Sequence, residues 1–325
     1  MGMEILAIIG GFVLLTWSAD RFVSGASGIA FNLKVSPLII GLTIVSLGTS
    51  APEILVSVMA ALQGNAGLAI GNAIGSNIIN TGLILGITAV IVPLGVRSSI
   101  IKRELPVMLL VMVLALLLLL DGTLGRIDGA IMLTGMAGIL FWVVHIGRRS
   151  RTDGADPISG EFADEIPTDM PMGRAVFWLI AGGLVLIGSS RMLVWGAVSI
   201  AQSVGVSDLV IGLTIVALGT SLPELAASVM SVFKKEHDIA LGNIIGSNIF
   251  NILAVLGLPG LIDPGPIDTA VLTRDYPIML GLCIMLFVMA YGLRAPGRIN
   301  RLEGAILVAA FCGYQTLLYF SELAT

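Results

Sequence analysis

Glu53 and Glu224 each sit in an apolar stretch, 41–62 and 212–233, that holds no other charge. An ionised side chain at membrane depth costs about 2.5–3.5 kcal/mol on insertion scales, so each one calls for a partner or a function. Neither stretch offers a lysine or arginine. Both glutamates close the same kind of hexapeptide, Gly48-Thr49-Ser50-Ala51-Pro52-Glu53 and Gly219-Thr220-Ser221-Leu222-Pro223-Glu224. Ser50-x-x-Glu53 matches a capping box, and proline suits a first helical turn, so one helix should stop here and another start. A break at membrane depth frees backbone groups, which is tolerated only inside protein or beside a polar cavity.

The segment after each glutamate supplies further oxygens. Asn72, Ser76 and Asn80 are spaced four apart and share a helix face, as do Asn243, Ser247 and Asn251. Asn72 and Asn243 suit either interhelical contacts or outer ligand positions. Asn77 and Asn248 lie about 100° off that face and suit structural roles. Gly71 and Gly75, with Gly242 and Gly246, allow close backbone approach beside it. The set of carboxylates, hydroxyls, amides and carbonyls contains no sulfur or imidazole. Hard cations favour such a cage, and Ca²⁺ takes about 6–8 oxygens. Two glutamates balance one Ca²⁺, two Na⁺ or two protons. An empty, doubly charged site is costly to carry through an apolar barrier, so it should change sides only when loaded. That is exchange. The residues themselves leave Na⁺ and H⁺ coupling both open.

The elements that hold these residues are duplicated. Residues 41–86 return at 212–257 without a gap, an offset of 171 (212 − 41), with 25 of 46 positions identical. Arg103-Glu104-Leu105-Pro106 answers Arg274-Asp275-Tyr276-Pro277 at the same offset, and RIDGAI from Arg126 answers RLEGAI from Arg301. The chain of 325 residues is 56% hydrophobic and 12% charged, and its mean hydropathy of +1.01 is that of a polytopic membrane protein. Ten apolar runs of spanning length lie at about 3–24, 36–62, 67–92, 104–121, 127–147, 173–200, 207–233, 238–262, 276–294 and 302–322. The expected fold is all-α: ten transmembrane helices in two five-helix repeats, 1–147 and 173–325, joined by an acidic cytoplasmic linker at 148–172. Five spans per half invert the second half. With the N-terminus outside, the basic residues of the loops gather on the cytoplasmic side, except Arg126 and Arg274. Both termini are therefore expected outside a cell (inner) membrane that the chain crosses many times. Arg21 and Arg191 fall within spans.

Other chemistry is poorly represented. Cys283 and Cys312 lie in apolar runs and suit buried, inert thiols. His145 and His237 are isolated, and no histidine lies at core depth for an intramembrane hydrolase. There is no basic patch with interleaved aromatics for nucleic acid. A channel would need a continuous pore with rings of charge rather than enclosed glutamates.

The motifs GTSAPE with GNAIGSNIIN, and GTSLPE with GNIIGSNIFN, resemble the paired alpha-repeats of the cation/calcium exchanger superfamily. Within it the chain is similar to prokaryotic sodium/calcium exchangers. The resemblance implies Ca²⁺/Na⁺ antiport by alternating access, with the first and sixth helices sliding against a compact core. It implies a central Ca²⁺ held by Glu53 and Glu224, with carbonyls at or near Thr49 and Thr220. It implies flanking Na⁺ sites that use Ser50, Ser76, Ser221 and Ser247 with the carbonyls of Ser46 and Ala217, and Asn80 and Asn251 completing the middle. Some relatives, including potassium-dependent ones, carry aspartate at the Asn251 position; asparagine argues against potassium coupling. Ca²⁺ and Na⁺ are then cargo, with no organic cofactor, the lipid bilayer is the surroundings, and a monomer suffices. A Ca²⁺/H⁺ exchanger is the alternative.

Overall fold

The computed structural model describes residues 2–35, 40, 46–96, 99–149, 170–234, 236–291 and 297–323. The first half contains α1 (Gly2–Asn32), α2 (Ser46–Thr49), α3 (Ala51–Leu62), α4 (Ala66–Ile91), strand β1 (Leu94–Gly95), α5 (Ser99–Leu119), β2 (Thr123–Leu124) and α6 (Arg126–Arg149). The second contains α7 (Met172–Val204), α8 (Asp208–Thr220), α9 (Leu222–Phe233), α10 (His237–Ile262), β3 (Gly265–Pro266), α11 (Val271–Tyr291), β4 (Arg298–Ile299) and α12 (Arg301–Leu323). Among the described residues, α1, α4, α7, α10, α11 and α12 are each long and apolar enough to cross a membrane, and α8 with α9 forms a bent seventh span. The other three expected spans correspond to α2–α3, α5 and α6. Helix continues to Arg149 and resumes at Met172, slightly inside the 148–172 linker; residues 150–169 lie outside the described set.

Two small strand pairs reveal the inversion. β1 pairs antiparallel with β4, and β2 with β3. The 21 residues of α5 separate β1 from β2, roughly 30 Å at 1.5 Å per residue. So the two pairs mark opposite faces of the molecule. α4 ends at the first pair and α10 at the second, so these repeat-equivalent helices run in opposite directions. β1 and β3 are themselves equivalent (94 + 171 = 265). Arg298 lies in the first pair and Arg301 just after it, and Lys234, beside the start of α10, lies on that same face. Arg126 and Arg274 lie on the other. These faces are named below after Lys234 and Arg126.

The same logic of burial ranks the helices. The apolar windows of α4 and α10 are 78% and 94% buried, against 22–39% for α1, α7, α11 and α12. A helix that is apolar all round belongs in the centre, and here α4 and α10 also carry the polar asparagine and serine faces. The outer helices turn apolar side chains such as Leu6, Val13, Phe177 and Leu184 outward. Cys283 is buried as expected, whereas Cys312 is exposed on α12, because α12 packs on the core with only one face.

α1 and α7 form a tight antiparallel pair. A side-chain carbon on Gly25 would lie 2.5 Å from the Leu179 amide nitrogen, and one on Gly182 would lie 2.8 Å from that of Phe22. Only glycine lets the backbones meet this closely.

Candidate cation site

The breaks occur where the motifs place them. Ser50 (φ −82°, ψ 3°) separates α2 from α3, and Ser221 (φ −85°, ψ 8°) separates α8 from α9, with a bend of 42° at the second. Pro52 and Pro223 occupy first-turn positions. The expected capping boxes do not form: neither serine makes a side-chain cap hydrogen bond. Their hydroxyls are instead used between halves. Ser221 Oγ donates to Glu53 Oε1 (3.2 Å), and Ser50 Oγ donates to Ser247 Oγ (3.1 Å). Ser247 Oγ in turn donates to Glu224 Oε1 (3.2 Å).

The threonines and the first asparagines bind the halves together. Thr49 Oγ1 donates to Asn243 Oδ1 and Thr220 Oγ1 to Asn72 Oδ1, each at 3.1 Å. Asn72 also donates to the Glu53 carbonyl (3.1 Å) and to Ser57 Oγ (3.0 Å). That engages both ends of its amide, so Asn72 holds structure rather than cargo. Gly71 and Gly212 bring α4 and α8 into backbone contact: a side-chain carbon on either would lie 2.3 or 2.5 Å from a carbonyl oxygen of the other helix. The Ala217 carbonyl accepts from the Ser221 amide (3.1 Å) and from Thr220 Oγ1 (3.3 Å), and so faces its own helix here. Ser46 opens α2; its side chain lies outside the described residues.

The innermost layer is symmetric. Asn80 Nδ2 donates to Asn248 Oδ1, and Asn251 Nδ2 donates to Asn77 Oδ1, both at 3.2 Å. Each central amide thus spends a donor on the opposite half and leaves its carbonyl oxygen over. The holding residues are fixed from behind: Asn248 donates to Thr81 Oγ1 (2.9 Å) and Asn77 to Met279 Sδ (3.4 Å). Sequence periodicity assigned Asn77 and Asn248 structural roles without revealing that they aim Asn80 and Asn251. Their repeat equivalence (77 + 171 = 248) was the available signal. Asn80 and Asn251 also sit in wide π-turns, Ile79–Ile84 and Asn251–Val255, a rare geometry that concentrates at functional sites.

What remains is a set of oxygens without protein partners. Glu53 Oε2, Glu224 Oε2, Ser76 Oγ, Asn80 Oδ1 and Asn251 Oδ1 are all buried and unbonded among the described residues. Glu53 and Glu224 are both 0% exposed, and no Lys or Arg salt bridge reaches either among the described residues. Each buried polar atom left unsatisfied costs about 1–3 kcal/mol. Four of these five can only accept, so another protein acceptor would not help them. A hard cation would. No group of three or more His, Cys, Asp or Glu side chains suited to a metal occurs among the described residues, so the donors must be mixed: two carboxylates with amide and hydroxyl oxygens. That chemistry fits Ca²⁺ or Na⁺.

A cavity leads towards the site from one face. A cavity of about 490 Å³ lined by Thr16, Asp20, Ser24, Ser27, Thr49 and Lys234, among others, reaches the site between α1, α2 and α9. It lies on the Lys234 side. Phe12 of α1 lies directly over Gly219, and Val23 of α1 over the equivalent Gly48, leaving no room for a side-chain carbon at either.

The family described as "Sodium/calcium exchanger protein" matches residues 3–145 and 174–320. The candidate antiporter CaxA of Alkalimonas amylolytica is 52% identical over 99% of this chain and 100% of its own. The inner membrane protein YrbG of Escherichia coli K12 is 44% identical, covering 96% of each chain. The sodium/calcium exchanger MaX1 of Methanosarcina acetivorans is 30% identical over 98% of this chain and 99% of its own. Among solved structures, the sodium-calcium exchanger NCX_Mj soaked with Na⁺ and Sr²⁺ aligns with a TM-score of 0.67 at 31% identity, covering 97% of this chain and 98% of that one.

Proposed function

The chain belongs to the sodium/calcium exchanger protein family, a family of membrane transporters rather than enzymes, and from that premise we propose that it exchanges Ca²⁺ for Na⁺ by alternating access. The observation that carries this reading is the set of five unpartnered buried oxygens contributed by the repeat motifs of both halves, two of them carboxylate. Glu53 and Glu224 bind Ca²⁺ centrally, with Asn80 and Asn251 beside them. Ser50, Ser76, Ser221 and Ser247 serve the Na⁺ positions, with carbonyls of Thr49, Thr220, Ser46 and Ala217 turning in as cargo arrives. Charge balance couples the two fluxes. One Ca²⁺ or two Na⁺ neutralise the glutamates, and the unloaded pair does not cross, since moving buried charge through an apolar barrier is prohibitive. Sliding of α1 and α7 as one unit would carry access from the Lys234 face to the Arg126 face, and their backbone-level packing supports joint movement. The excess of basic residues on the Lys234 face supports placing it in the cytoplasm, with both termini outside. A monomer contains the whole proposed site.

The test is ⁴⁵Ca²⁺ uptake into proteoliposomes loaded with Na⁺, K⁺ or choline at matched pH, with voltage and proton gradients clamped. Uptake from Na⁺-loaded vesicles alone is expected. Uptake driven by a pH gradient instead would replace Na⁺ with H⁺ as the coupling ion at the same glutamates. Uptake without any counter-ion would reject exchange.

A further inference from the structure

Asp20 is a carboxylate the ion site does not use. It lies 12 residues before the end of α1 (32 − 20), about 18 Å along the helix, and hence deep within the span. Its side chain is 68% exposed. A charge at this depth is expensive unless it faces a water-filled cavity, and Asp20 lines the cavity that leads from the Lys234 face to Thr49. Its basic neighbours only partly offset it. Arg21 Nε stands 3.8 Å away, with its guanidinium lying 5.1 Å over the Trp178 ring. An exposed pair of that length is weak. Lys234 lines the outer end of the same cavity. Thr16, Ser24 and Ser27 line it as well, beside apolar residues such as Val23 and Met230.

The repeat gives the opposite path a different chemistry. In an inverted-repeat transporter the two access paths are built from equivalent positions of the two halves. Adding or subtracting 171 turns Thr16 into Ile187, Ser24 into Trp195, Ser27 into Val198 and Lys234 into Gln63. Asp20 becomes Arg191. One path therefore carries a carboxylate where the other carries a guanidinium, and the three hydroxyl residues Thr16, Ser24 and Ser27 answer apolar side chains.

We propose that Asp20 and Arg191 make cation access sided: Asp20 concentrates cations in the path from the Lys234 face, and Arg191 opposes them in the path from the Arg126 face. Charge lining a cleft with low-dielectric walls changes local ion concentration and entry rate by about 10–1,000-fold. This inference rests on the exchange reading. It makes the apparent affinity for Ca²⁺ higher from the Lys234 face, which favours Ca²⁺ loading there.

The experiment uses the full chain in right-side-out and everted membrane vesicles. The KM for ⁴⁵Ca²⁺ is measured on each face at about 0.01 M and about 0.1 M ionic strength, between which the screening length falls from ~30 to ~10 Å. Asp20→Asn is expected to raise KM about tenfold on the Lys234 face at low ionic strength, with a smaller rise at high ionic strength and no change on the other face. Asp20→Glu restores the low KM. Arg191→Gln is expected to lower KM on the Arg126 face only. Equal shifts on both faces, no shift at all, or Asp20→Glu as impaired as Asp20→Asn would overturn the proposal. Failure of Na⁺ to drive uptake in the unaltered protein would count against Na⁺ exchange instead. The same series run with the counter-ion that does drive uptake still decides the role of Asp20.

Discussion

The α3–α4 corner and the α9–α10 corner descend from one sequence, yet they are fastened differently. On the Arg126 side, Asn72 ties α4 to α3 through the Glu53 carbonyl and Ser57, and Ser57 donates onward to the Ala69 carbonyl (3.3 Å). On the Lys234 side the equivalent atoms, Asn243 Nδ2 and Ser228 Oγ, are buried without partners among the described residues. The cavity opens along α9 on this same side, past Pro223, Ala226, Ala227 and Met230. The difference teaches that the cavity lies on the side where this asparagine–serine pair makes no bond of its own to the neighbouring helix. The asparagine layer between the corners keeps its repeat symmetry, as the paired Asn80–Asn248 and Asn251–Asn77 bonds demonstrate.

The comparison predicts equal treatment at the centre and unequal treatment at the corners. The largest expected effect is at the centre. Glu53→Gln and Glu224→Gln should each abolish Ca²⁺ exchange, by more than about 100-fold, because a lost carboxylate removes both a ligand and half of the balancing charge. Initial ⁴⁵Ca²⁺ uptake rates, with membrane insertion checked by yield, measure this. Normal transport in either variant would remove that glutamate from the site.

The corners come next. Asn72→Ala removes two donated bonds and leaves Thr220 Oγ1 without its cross-half acceptor. It should cost about 2–4 kcal/mol of stability, at ~0.5–1.5 kcal/mol per bond plus the stranded groups. Asn243→Ala removes only the bond from Thr49 and should cost about 1 kcal/mol. Thermal unfolding of the purified chain in cation-free detergent reads both. Equal losses would show that the two corners are fastened alike and would break the comparison.

Duplication made the centre legible in the sequence and left the corners obscure. Glu53, Glu224 and the Asn–Ser–Asn faces stand out because both copies keep them, and the inversion follows from an odd number of spans together with the bias of basic residues. Local pattern was misleading at Ser50 and Ser221, where a capping box is written but the hydroxyls turn to the other half. A cap needs only four consecutive residues, whereas the bonds that replace it depend on helices 168 and 197 residues apart in sequence. The π-turns at Asn80 and Asn251 are likewise set by packing, since no residue pattern separates them from ordinary helix. Asp20 does not stand out in the sequence as the glutamates do, because its repeat equivalent is Arg191 and the two copies carry opposite charges there.

The subtlest prediction concerns Asn77 and Asn248. Neither belongs to the unpartnered set, yet each accepts the amide donor of a residue that does. If they aim the carbonyl oxygens of Asn80 and Asn251 at the cargo, removing either acceptor frees one central amide to rotate. Asn77→Ala and Asn248→Ala should then weaken apparent Ca²⁺ affinity about tenfold each, the equivalent of one bond near 1.4 kcal/mol. The two losses should be nearly equal, because the layer is symmetric while the access paths are not. Equality also separates aiming from simple packing. Behind Asn248 stand Thr81, Met108 and Cys283, whereas Asn77 donates to Met279, so a packing defect would differ between the two sites. Unequal losses of Ca²⁺ affinity would place the asymmetry of this protein in its ion-holding layer as well as at its corners.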